Sequence, residues 1–250
     1  RLLKQAGFKT TIGSPELEGH GALDGISGPL QLVEVKVDGD SLLIDGKKPC
    51  LILLNNDLTG GIVPGLATQQ VSPPVEMGWH RRRKSEHYAA LDEYVNEVCG
   101  MLGIDPWHLT TAWFVSEDKC LDKETCRIKL AAEVDTFIQA IKQRYEKQGI
   151  DREPVVFVKN DRGTYGLGIL TITSGEQLLQ LSNRKMKKLS YSKGGVDVDN
   201  FLIQEGVPTQ FNEDGPVEPV VYLVDGEAAS WFYRVNSKKN DMDKDTWCFK

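Results

Sequence analysis

Two largely apolar runs enclose a glycine-rich segment in the middle of the chain, and they give its clearest pattern. Residues 155–158 are all apolar, which predicts a buried strand, and Lys159 follows directly. Residues 169–172 predict a second strand. Three glycines fall within the six positions 163–168 between the two runs. The pattern therefore predicts a strand that ends on a lysine, a glycine-rich turn and a returning strand.

The lysine and the glycines together indicate a polyphosphate site. A buried strand carries a lysine only where the charge has a partner. Glycine lets backbone N–H groups approach oxygens closely, and an ammonium adds a point charge. The segment is interpreted as a nucleoside triphosphate site, with a tight hairpin bearing a surface lysine as the alternative. Its candidate residues are Lys159, Gly163, Thr164, Tyr165, Gly166 and Gly168.

Two familiar phosphate motifs are excluded by the order of these residues. In a Walker loop the lysine follows the glycines, whereas Lys159 precedes them. A dinucleotide fingerprint has a different glycine spacing and opens a helix, whereas a strand is predicted next. A glycine-rich hairpin laid over the nucleotide, with the lysine on the strand beneath it, is the arrangement that remains.

Hydrophobic periodicity predicts two long helices, and a capping-box pattern predicts a third. Residues 86–102 and 124–147 carry apolar side chains at helical spacing, and a capping-box pattern at 174–177 predicts a further helix to about residue 186. The apolar positions of the first helix are Leu91, Tyr94, Val95, Val98 and Met101. Those of the second form one stripe, which we assign to the core: Ile128, Val134, Phe137, Ile138, Ile141 and Tyr145.

The N-terminal segment is predicted to consist mainly of strands and turns. Alternation predicts a strand at 30–37, with the return arm of a hairpin at 41–46. Residues 50–54 are wholly apolar, as in a parallel strand covered on both faces. Asn55 and Asn56 follow at its carboxyl end, where open α/β sheets place ligands. An Asx-rich turn explains the two asparagines equally well.

A basic cluster, residues 81–84, directly precedes the first long helix. Guanidinium groups at the start of a helix suit an anion such as a carboxylate or a phosphate. Arg82 and Arg83 are the candidate ligands. A solvated basic turn is the alternative, and this pattern alone favours it.

Two features near the C-terminal end could serve a nucleotide. A strand beginning at residue 200 ends in Gln204, Glu205 and Val207, where one backbone N–H and one C=O could read an adenine edge. A hairpin then spans residues 217–234 and ends in Arg234, a candidate cation for a transferring phosphate. A lone arginine on a strand is more often a surface residue.

Composition narrows the function only slightly. The 250 residues are 40% apolar and 26% charged, and the net charge of −6 argues against a general nucleic-acid binder. No apolar run reaches the roughly 18 residues that a membrane helix needs. Five scattered cysteines predict free thiols and hence a cytoplasmic location. Because residue 1 is arginine, we expect the chain to be part of a longer polypeptide.

In order, these elements resemble the ATP-grasp fold. More narrowly, several stretches from about Leu2 to Arg234 are similar to the proteobacterial, ATP-grasp-like type of glutamate–cysteine ligase. The string from Trp79 to Ser85 is the most specific, whereas the glycine hairpin is shared by the superfamily and the residues after Arg234 match poorly. The similar stretches are 53–58, 78–87, 158–169, 204–207, 218–222 and 232–234.

The resemblance implies an α/β fold, α+β in its C-terminal part. Residues 1–108 would form a pre-ATP-grasp-like, substrate-side domain. Residues 109–250 would form an ATP-grasp-like nucleotide-binding region whose C-terminal part is incomplete. The magnesium ligands of such enzymes usually lie beyond the arginine, so no metal ligand is assigned.

The resemblance also implies an activity. ATP would phosphorylate the γ-carboxylate of glutamate and the cysteine amine would attack the acyl phosphate, the first step of glutathione biosynthesis. ATP and Mg²⁺ would be the cofactors, with no nucleic acid or membrane partner, and a homo-oligomer is left open. Lys159 and Arg234 would be catalytic, and Asn55, Asn56, Arg82 and Arg83 would bind glutamate. Another ATP-grasp carboxylate–amine ligase and a non-catalytic nucleotide-binding module are the alternatives.

Overall fold

The computed structural model describes residues 2–25, 28–116, 121, 123–162, 168–189, 200–208, 210–213, 215–235 and 247–248. Backbone contacts divide the chain into two units, Arg1–Arg82 and Arg83–Lys250. Helices and strands are mixed, as the sequence predicts; the domain division expected after residue 108 stays a prediction. Among the described helices, none combines the length and hydrophobicity needed to cross a membrane.

Five α-helices, two short 3-10 helices (Val75–Met77 and Pro106–His108) and fifteen strands are present in the described residues. The helices are α1 Leu2–Gln5, α2 Lys84–Leu102, α3 Glu124–Lys147, α4 Glu176–Leu179 and α5 Asn183–Leu189. The strands are β1 Ile12–Ser14, β2 His20–Gly25, β3 Gly28–Asp38, β4 Ser41–Ile44, β5 Ile52–Leu53, β6 Val71–Ser72, β7 Trp113–Ser116, β8 Val156–Asn160, β9 Ile169–Ile172, β10 Phe201–Glu205, β11 Val207–Pro208, β12 Gln210–Asn212, β13 Gly215–Val224, β14 Glu227–Val235 and β15 Trp247–Cys248.

The first unit is built on β3. This strand pairs parallel with β1 and antiparallel with β2 and β4. The predicted hairpin at 30–46 is therefore confirmed as β3–β4. A small core of Leu42, Leu58, Leu66 and Val75 lies in this unit.

The apolar run at 50–54 differs from its prediction in burial. Its parallel direction is confirmed, because β5 pairs parallel with β6. The predicted cover on both faces is wrong, since the side chains of Leu51 and Leu53 are exposed. A sheet of two short strands leaves part of each face to solvent.

The second unit contains a four-stranded antiparallel sheet in the order β7–β10–β8–β9. The predicted hairpin is confirmed as β8–β9, with Lys159 opposite Ile169. Successive side chains of a strand point to opposite faces. One face packs on α3, where Val156 and Phe201 join Val134 and Ile138 in the main core. This core confirms most of the predicted stripe of α3, although Ile128 is exposed.

The other face of this sheet contacts α2 through Tyr88, whose ring centroid lies 5.9 Å from that of Trp113. The predicted helix is confirmed. Of its apolar side chains Val95 is buried, whereas Met101 is 76% exposed, and Tyr94 and Val98 are exposed too. The buried residues of α2 are Tyr88, Val95 and Cys99.

The helix expected from residue 174 to about residue 186 is two short helices, α4 and α5. No side chain at the N-terminal cap of α4 closes the predicted capping box. Instead, Asp135 of α3 accepts from the Gly175 N–H at 2.6 Å. A Cβ at Gly175 would lie 2.2 Å from the Ala131 carbonyl oxygen, so this approach of α3 and α4 requires glycine.

The C-terminal hairpin β13–β14 turns at Asp225 and Gly226, as predicted. All nine residues of β14 are exposed. They include Trp231, Phe232 and Tyr233, which stand on an antiparallel ribbon with β13. The hairpin is therefore held by its strand pairing more than by burial.

The predicted free thiols are confirmed for two of the cysteines. Cys50 is free and exposed, and Cys99 is free and buried. The prediction is wrong for Cys126, which is disulfide-bonded. Whether two sulfur atoms meet depends on the folded positions of both cysteines, which their number and spacing do not give.

Candidate functional site

Lys159 stands at the end of β8 with its side chain enclosed, at 3% residue exposure. It lies opposite Leu202 of β10, so Gln204, two residues along, is its diagonal neighbour on the same face of the sheet. Its Nζ donates a hydrogen bond to Gln204 Oε1. The predicted lysine is thus inside the fold, on the face of the sheet that contacts α2.

Gln204 is held at both ends of its amide. Its side chain is completely buried, and Nε2 donates to Thr111 Oγ1 at 2.7 Å. The Tyr88 hydroxyl donates to Oε1 at 3.3 Å. These contacts direct the amide carbonyl towards Lys159.

A second lysine, Lys84, lies beside the first. Its Nζ donates to the carbonyl oxygens of Asn160 at 2.7 Å and of Asp161 at 3.3 Å. Burial, and then the positive charge of Lys84, lowers the pKa of Lys159 from 10.5 to about 7. An anion near this ammonium would favour its charged form. The arrangement is therefore suited to a negatively charged ligand.

Asp161 joins the end of β8 to the start of α2. Its carboxylate accepts from the Ser85 N–H at 2.8 Å and from the Ser85 hydroxyl at 2.6 Å. Its carbonyl oxygen accepts from the Lys84 N–H at 3.0 Å. Two N–H groups in the first turn of α2 are thus satisfied by a distant residue. Arg83, at the cap position, is half-buried, with a guanidinium nitrogen 4.0 Å from Asp161 Oδ2.

Five residues of this arrangement are not predicted from the sequence. Lys84 is predicted only as part of the basic cluster, and the sequence assigns no role to Ser85, Tyr88, Thr111 or Asp161. The available signal is an aspartate directly after a lysine-bearing strand. It does not identify a helix cap, because the helix that it caps begins far away in the sequence.

Glu205 faces away from Lys159. Its Oε2 accepts from Trp107 Nε1 at 2.9 Å and from the Ala112 N–H at 3.0 Å, and the residue is 2% exposed. Trp107 belongs to the core beside α3. Burial, together with the charge of Glu205, raises the pKa of Tyr145. Adjacent residues on a strand point to opposite faces, so Gln204 and Glu205 are separated by the sheet.

The backbone expected to read an adenine edge is partly engaged. The Glu205 N–H donates to the Ala112 carbonyl at 2.9 Å, and the Gly206 N–H donates to that of Val155 at 2.7 Å. Val207 is half-buried and lies opposite Cys248 in the β11–β15 pair. Adenine binding by Gln204, Glu205 and Val207 stays a prediction.

Most of the predicted glycine flap, namely Gly163, Thr164, Tyr165 and Gly166, lies outside the described residues. Gly168 is described and buried, and it has a φ of 67° that favours glycine. Its carbonyl oxygen accepts from the Asn160 N–H at 3.4 Å, which closes the base of the hairpin.

Arg234 forms an exposed ion pair. It lies opposite Glu218 on the β13–β14 ribbon, and its Nε donates to Glu218 Oε2 at 3.0 Å. The arginine side chain is 69% exposed. This geometry resembles the surface alternative, and the catalytic role of Arg234 stays a prediction.

In the first unit, Asn55 and Asn56 line an open cavity of about 440 Å³ together with Leu54 and Asp57. Asn56 Oδ1 also accepts from the Leu58 N–H at 2.8 Å, so this residue forms the alternative Asx turn while it borders the cavity. In the same unit, the Arg82 guanidinium stacks on Trp79, 4.3 Å from the ring centroid.

The described part of the chain contains no group of three or more His, Cys, Asp or Glu residues that could hold a metal ion. The candidate site consists of the ammonium groups of Lys159 and Lys84 and the amide of Gln204.

Comparison with known proteins gives a family. The sequence model of the glutamate–cysteine ligase family, GshA, matches residues 1–245. None of the curated proteins compared with the chain matches it significantly. A crystal structure of a protein from Methylobacillus flagellatus KT, provisionally named a gamma-glutamylcysteine synthetase, has a TM-score of 0.84 and 35% identity. The match covers 97% of this chain and 58% of that one, so this chain spans somewhat more than half the length of that relative.

A weaker similarity exists to the D-alanyl-alanine synthetase A of Vibrio cholerae O1 biovar eltor str. N16961. Its TM-score is 0.38 and its identity 16%, over 86% of this chain and 55% of that chain, which is too low to carry an argument. The family match extends over nearly the whole sequence, and the first structure agrees with it. The chain belongs to the glutamate–cysteine ligase family.

Proposed function

We propose that this chain binds ATP and glutamate in an ATP-dependent ligase that joins the γ-carboxylate of glutamate to the amine of cysteine. Membership of the family supports this activity. The observation that carries it is the enclosed Lys159 with Lys84 beside it, which suits a polyphosphate. An ATP-grasp arrangement, with a flap at residues 163–168 closing over the nucleotide, is part of the same proposal.

The chemistry requires activation of a carboxylate. Its oxygen is a poor leaving group, so the γ-phosphoryl group of ATP is transferred to it and ADP leaves. The cysteine amine then attacks the acyl carbon, the amide bond forms, and phosphate and a proton are released. The protein has to align the reactants and stabilise negative charge on the transferred group.

Lys159 and Lys84 would share the phosphate oxygens of ATP. The buried ammonium of Lys159 on the sheet and the half-buried one of Lys84 on α2 repel each other, and an anion between them would relieve this repulsion. Binding would therefore return the pKa of Lys159 towards its ordinary value. Backbone N–H groups of the glycine segment would exclude water, which would otherwise hydrolyse the acyl phosphate.

Glutamate would be bound by the remaining candidates. Arg82 and Arg83 would pair with its carboxylates, and Asn55 and Asn56 would add amide hydrogen bonds. These four assignments rest on residue chemistry and on the family resemblance.

Magnesium is implied by the family and would neutralise charge on the phosphates. The described residues supply no cluster of acidic side chains that fits the ion.

A non-catalytic nucleotide-binding module is the second candidate. The pairing of Arg234 with Glu218 favours it, because the arginine expected at the transferred phosphate has another partner. Another carboxylate–amine ligase would use the same chemistry with different amino-acid substrates.

A cytoplasmic location and a homo-oligomer stay predictions. The location is predicted from free thiols, and the disulfide at Cys126 weakens that argument.

One assay separates these functions. ADP release is measured with the full-length protein, ATP, magnesium, glutamate and cysteine, and each component is omitted in turn. The proposed ligase requires both amino acids. ADP release that other amino-acid pairs support equally well indicates a different ligase. ATP binding that no pair converts into ADP release indicates the non-catalytic module.

A further inference from the structure

We propose that Gln204 is a positioning residue that directs the Lys159 ammonium to the phosphates of the nucleotide without neutralising its charge. This inference rests on the proposed function and deepens it, because it explains how the phosphate-binding lysine is held. It also gives the Gln204 side chain a role different from reading adenine.

The geometry of the sheet sets this contact. Leu202 is directly opposite Lys159, and Gln204 is the next residue of β10 on the same face. A diagonal pair of this kind is within reach of long side chains. The Lys159 ammonium donates to Gln204 Oε1 across this diagonal.

The amide is fixed so that only its carbonyl can meet the lysine. Nε2 is occupied by Thr111 Oγ1 at 2.7 Å, and rotation of the amide would bring two donors, Nε2 and Lys159 Nζ, together. The Tyr88 hydroxyl contacts the same carbonyl oxygen at 3.3 Å. Both Thr111 and Tyr88 are buried, so solvent does not replace these contacts freely.

Gln204 Oε1, which accepts the hydrogen bond from Lys159, belongs to a neutral group. An amide carbonyl orients an ammonium but adds no negative charge. A glutamate at position 204 would have nearly the same shape and would form an ion pair with Lys159 instead. That carboxylate would compete with phosphate for the ammonium, and it could not donate to Thr111.

The surroundings define how the contact depends on pH. Among the described residues, Lys84 is the charged group that acts on Lys159, and Tyr88 shares the Gln204 carbonyl oxygen with it. The Asp161 carboxylate is bound by Ser85 and lies 4.0 Å from Arg83. Burial, and then the charge of Lys84, lowers the pKa of Lys159 to about 7. Above pH 7, therefore, the ammonium has to regain a proton when it binds phosphate, and affinity should fall as the pH rises.

The test uses ATP binding by the full-length protein, measured by calorimetry without glutamate or cysteine at pH 6.5, 7.5 and 8.5. Wild-type affinity should fall by up to about tenfold per pH unit above pH 7. Gln204→Glu should bind ATP at least about tenfold more weakly at pH 6.5, with little further change up to pH 8.5. Thr111→Val should weaken binding but leave the pH profile in place, since it adds no charge.

The controls separate charge, folding and function. Gln143→Glu adds the same charge at an exposed position of α3 and should behave like wild type. Circular dichroism and thermal unfolding establish whether each variant is folded. If Gln204→Glu does not fold, the inference is tested by Thr111→Val, which should bind ATP more weakly than wild type.

The inference is overturned if Gln204→Glu binds ATP with the affinity and pH profile of Gln143→Glu. It is equally overturned if folded Thr111→Val binds as wild type does. Wild-type protein that does not bind ATP overturns the proposed function as well. ATP binding without amino-acid-dependent ADP release removes the ligase proposal and leaves this inference to be decided by the variants.

Discussion

Ser85 donates two hydrogen bonds to Asp161, one from its backbone N–H at 2.8 Å and one from its hydroxyl at 2.6 Å, although 76 residues separate the two in the sequence. Through this pair, the residue that follows β8 caps the first turn of α2. Lys159 and Lys84 are thereby held on two elements that are tied together beside them. The positions of both ammonium groups thus depend on one buried carboxylate.

Asp161→Ala should lower the free energy of unfolding by about 1–3 kcal/mol, because a helix cap is lost and the Ser85 donors lose their acceptor. Ser85→Ala removes only the hydroxyl and should cost less, about 1 kcal/mol. Urea denaturation of both variants gives the comparison. An ordinary surface substitution changes the free energy of unfolding by up to about 0.5 kcal/mol. A change no larger than this in Asp161→Ala would contradict the capping role.

Lys159→Met should abolish ATP binding and yet stabilise the ligand-free protein. The folded pKa of about 7 lies below the ordinary 10.5, so between these values the unfolded chain binds more protons than the folded one. Wild-type stability should therefore rise with pH in this window, by at most about 1.4 kcal/mol per unit, and should stay at its lower level below pH 7. The methionine variant should lose this slope. Denaturation series at pH 6.5, 8 and 9.5 measure how the free energy of unfolding depends on pH. Equal dependence in both proteins would contradict the lowered pKa of Lys159.

Glu205→Ala should destabilise the protein by about 2–4 kcal/mol, because the buried donors of Trp107 and Ala112 lose their acceptor. Glu205→Gln keeps one side-chain oxygen and should cost less. The KM for ATP should change little in either variant, since the carboxylate lies on the face away from Lys159. A raised KM with unchanged stability would instead support the predicted role in nucleotide binding.

Arg234→Ala distinguishes a surface ion pair from a catalytic group. An exposed pair contributes at most about 1 kcal/mol to stability, so the variant should remain folded. If Arg234 acts on the transferred phosphate, kcat should fall by about 100-fold or more, while Glu218→Gln keeps near-normal activity. If kcat of Arg234→Ala and of Glu218→Gln falls only slightly and to the same extent, the arginine has no catalytic role.

Arg82→Ala should raise the glutamate requirement more than the ATP requirement if Arg82 pairs with a substrate carboxylate. Arg82→Lys keeps the charge but loses the planar stacking on Trp79, so it should recover only part of the affinity. Steady-state kinetics with each substrate varied in turn measures the difference. Equal changes in both KM values would exclude Arg82 from the glutamate site.

Local patterns in the sequence were sufficient for the elements around Lys159. An apolar run that ends on a lysine, followed by glycines and a second run, predicts β8, β9 and the enclosed ammonium, and all three are observed. The prediction succeeds because strand burial and turn formation are decided by neighbouring residues.

Contacts between distant segments could not be predicted in this way. The cap from Asp161 and the amide bridge from Gln204 to Thr111 each join segments more than 70 residues apart. The buried residues of α2 include only Val95 among its predicted apolar positions, so the apolar spacing alone does not identify its buried face. The chemistry is predicted from the family resemblance, whereas the partners of Lys159 are seen only in the folded structure.

The β13–β14 hairpin, whose second strand is exposed along its whole length, has a consequence for how unfolding of this protein is measured. Denaturant slopes and heat-capacity changes scale with the surface that unfolding newly exposes to water. Separation of this ribbon adds little new surface, so a urea titration or a calorimetric scan reports mainly on the buried sheet. Hydrogen exchange of the β14 amides would detect an opening of the hairpin that both of those methods miss.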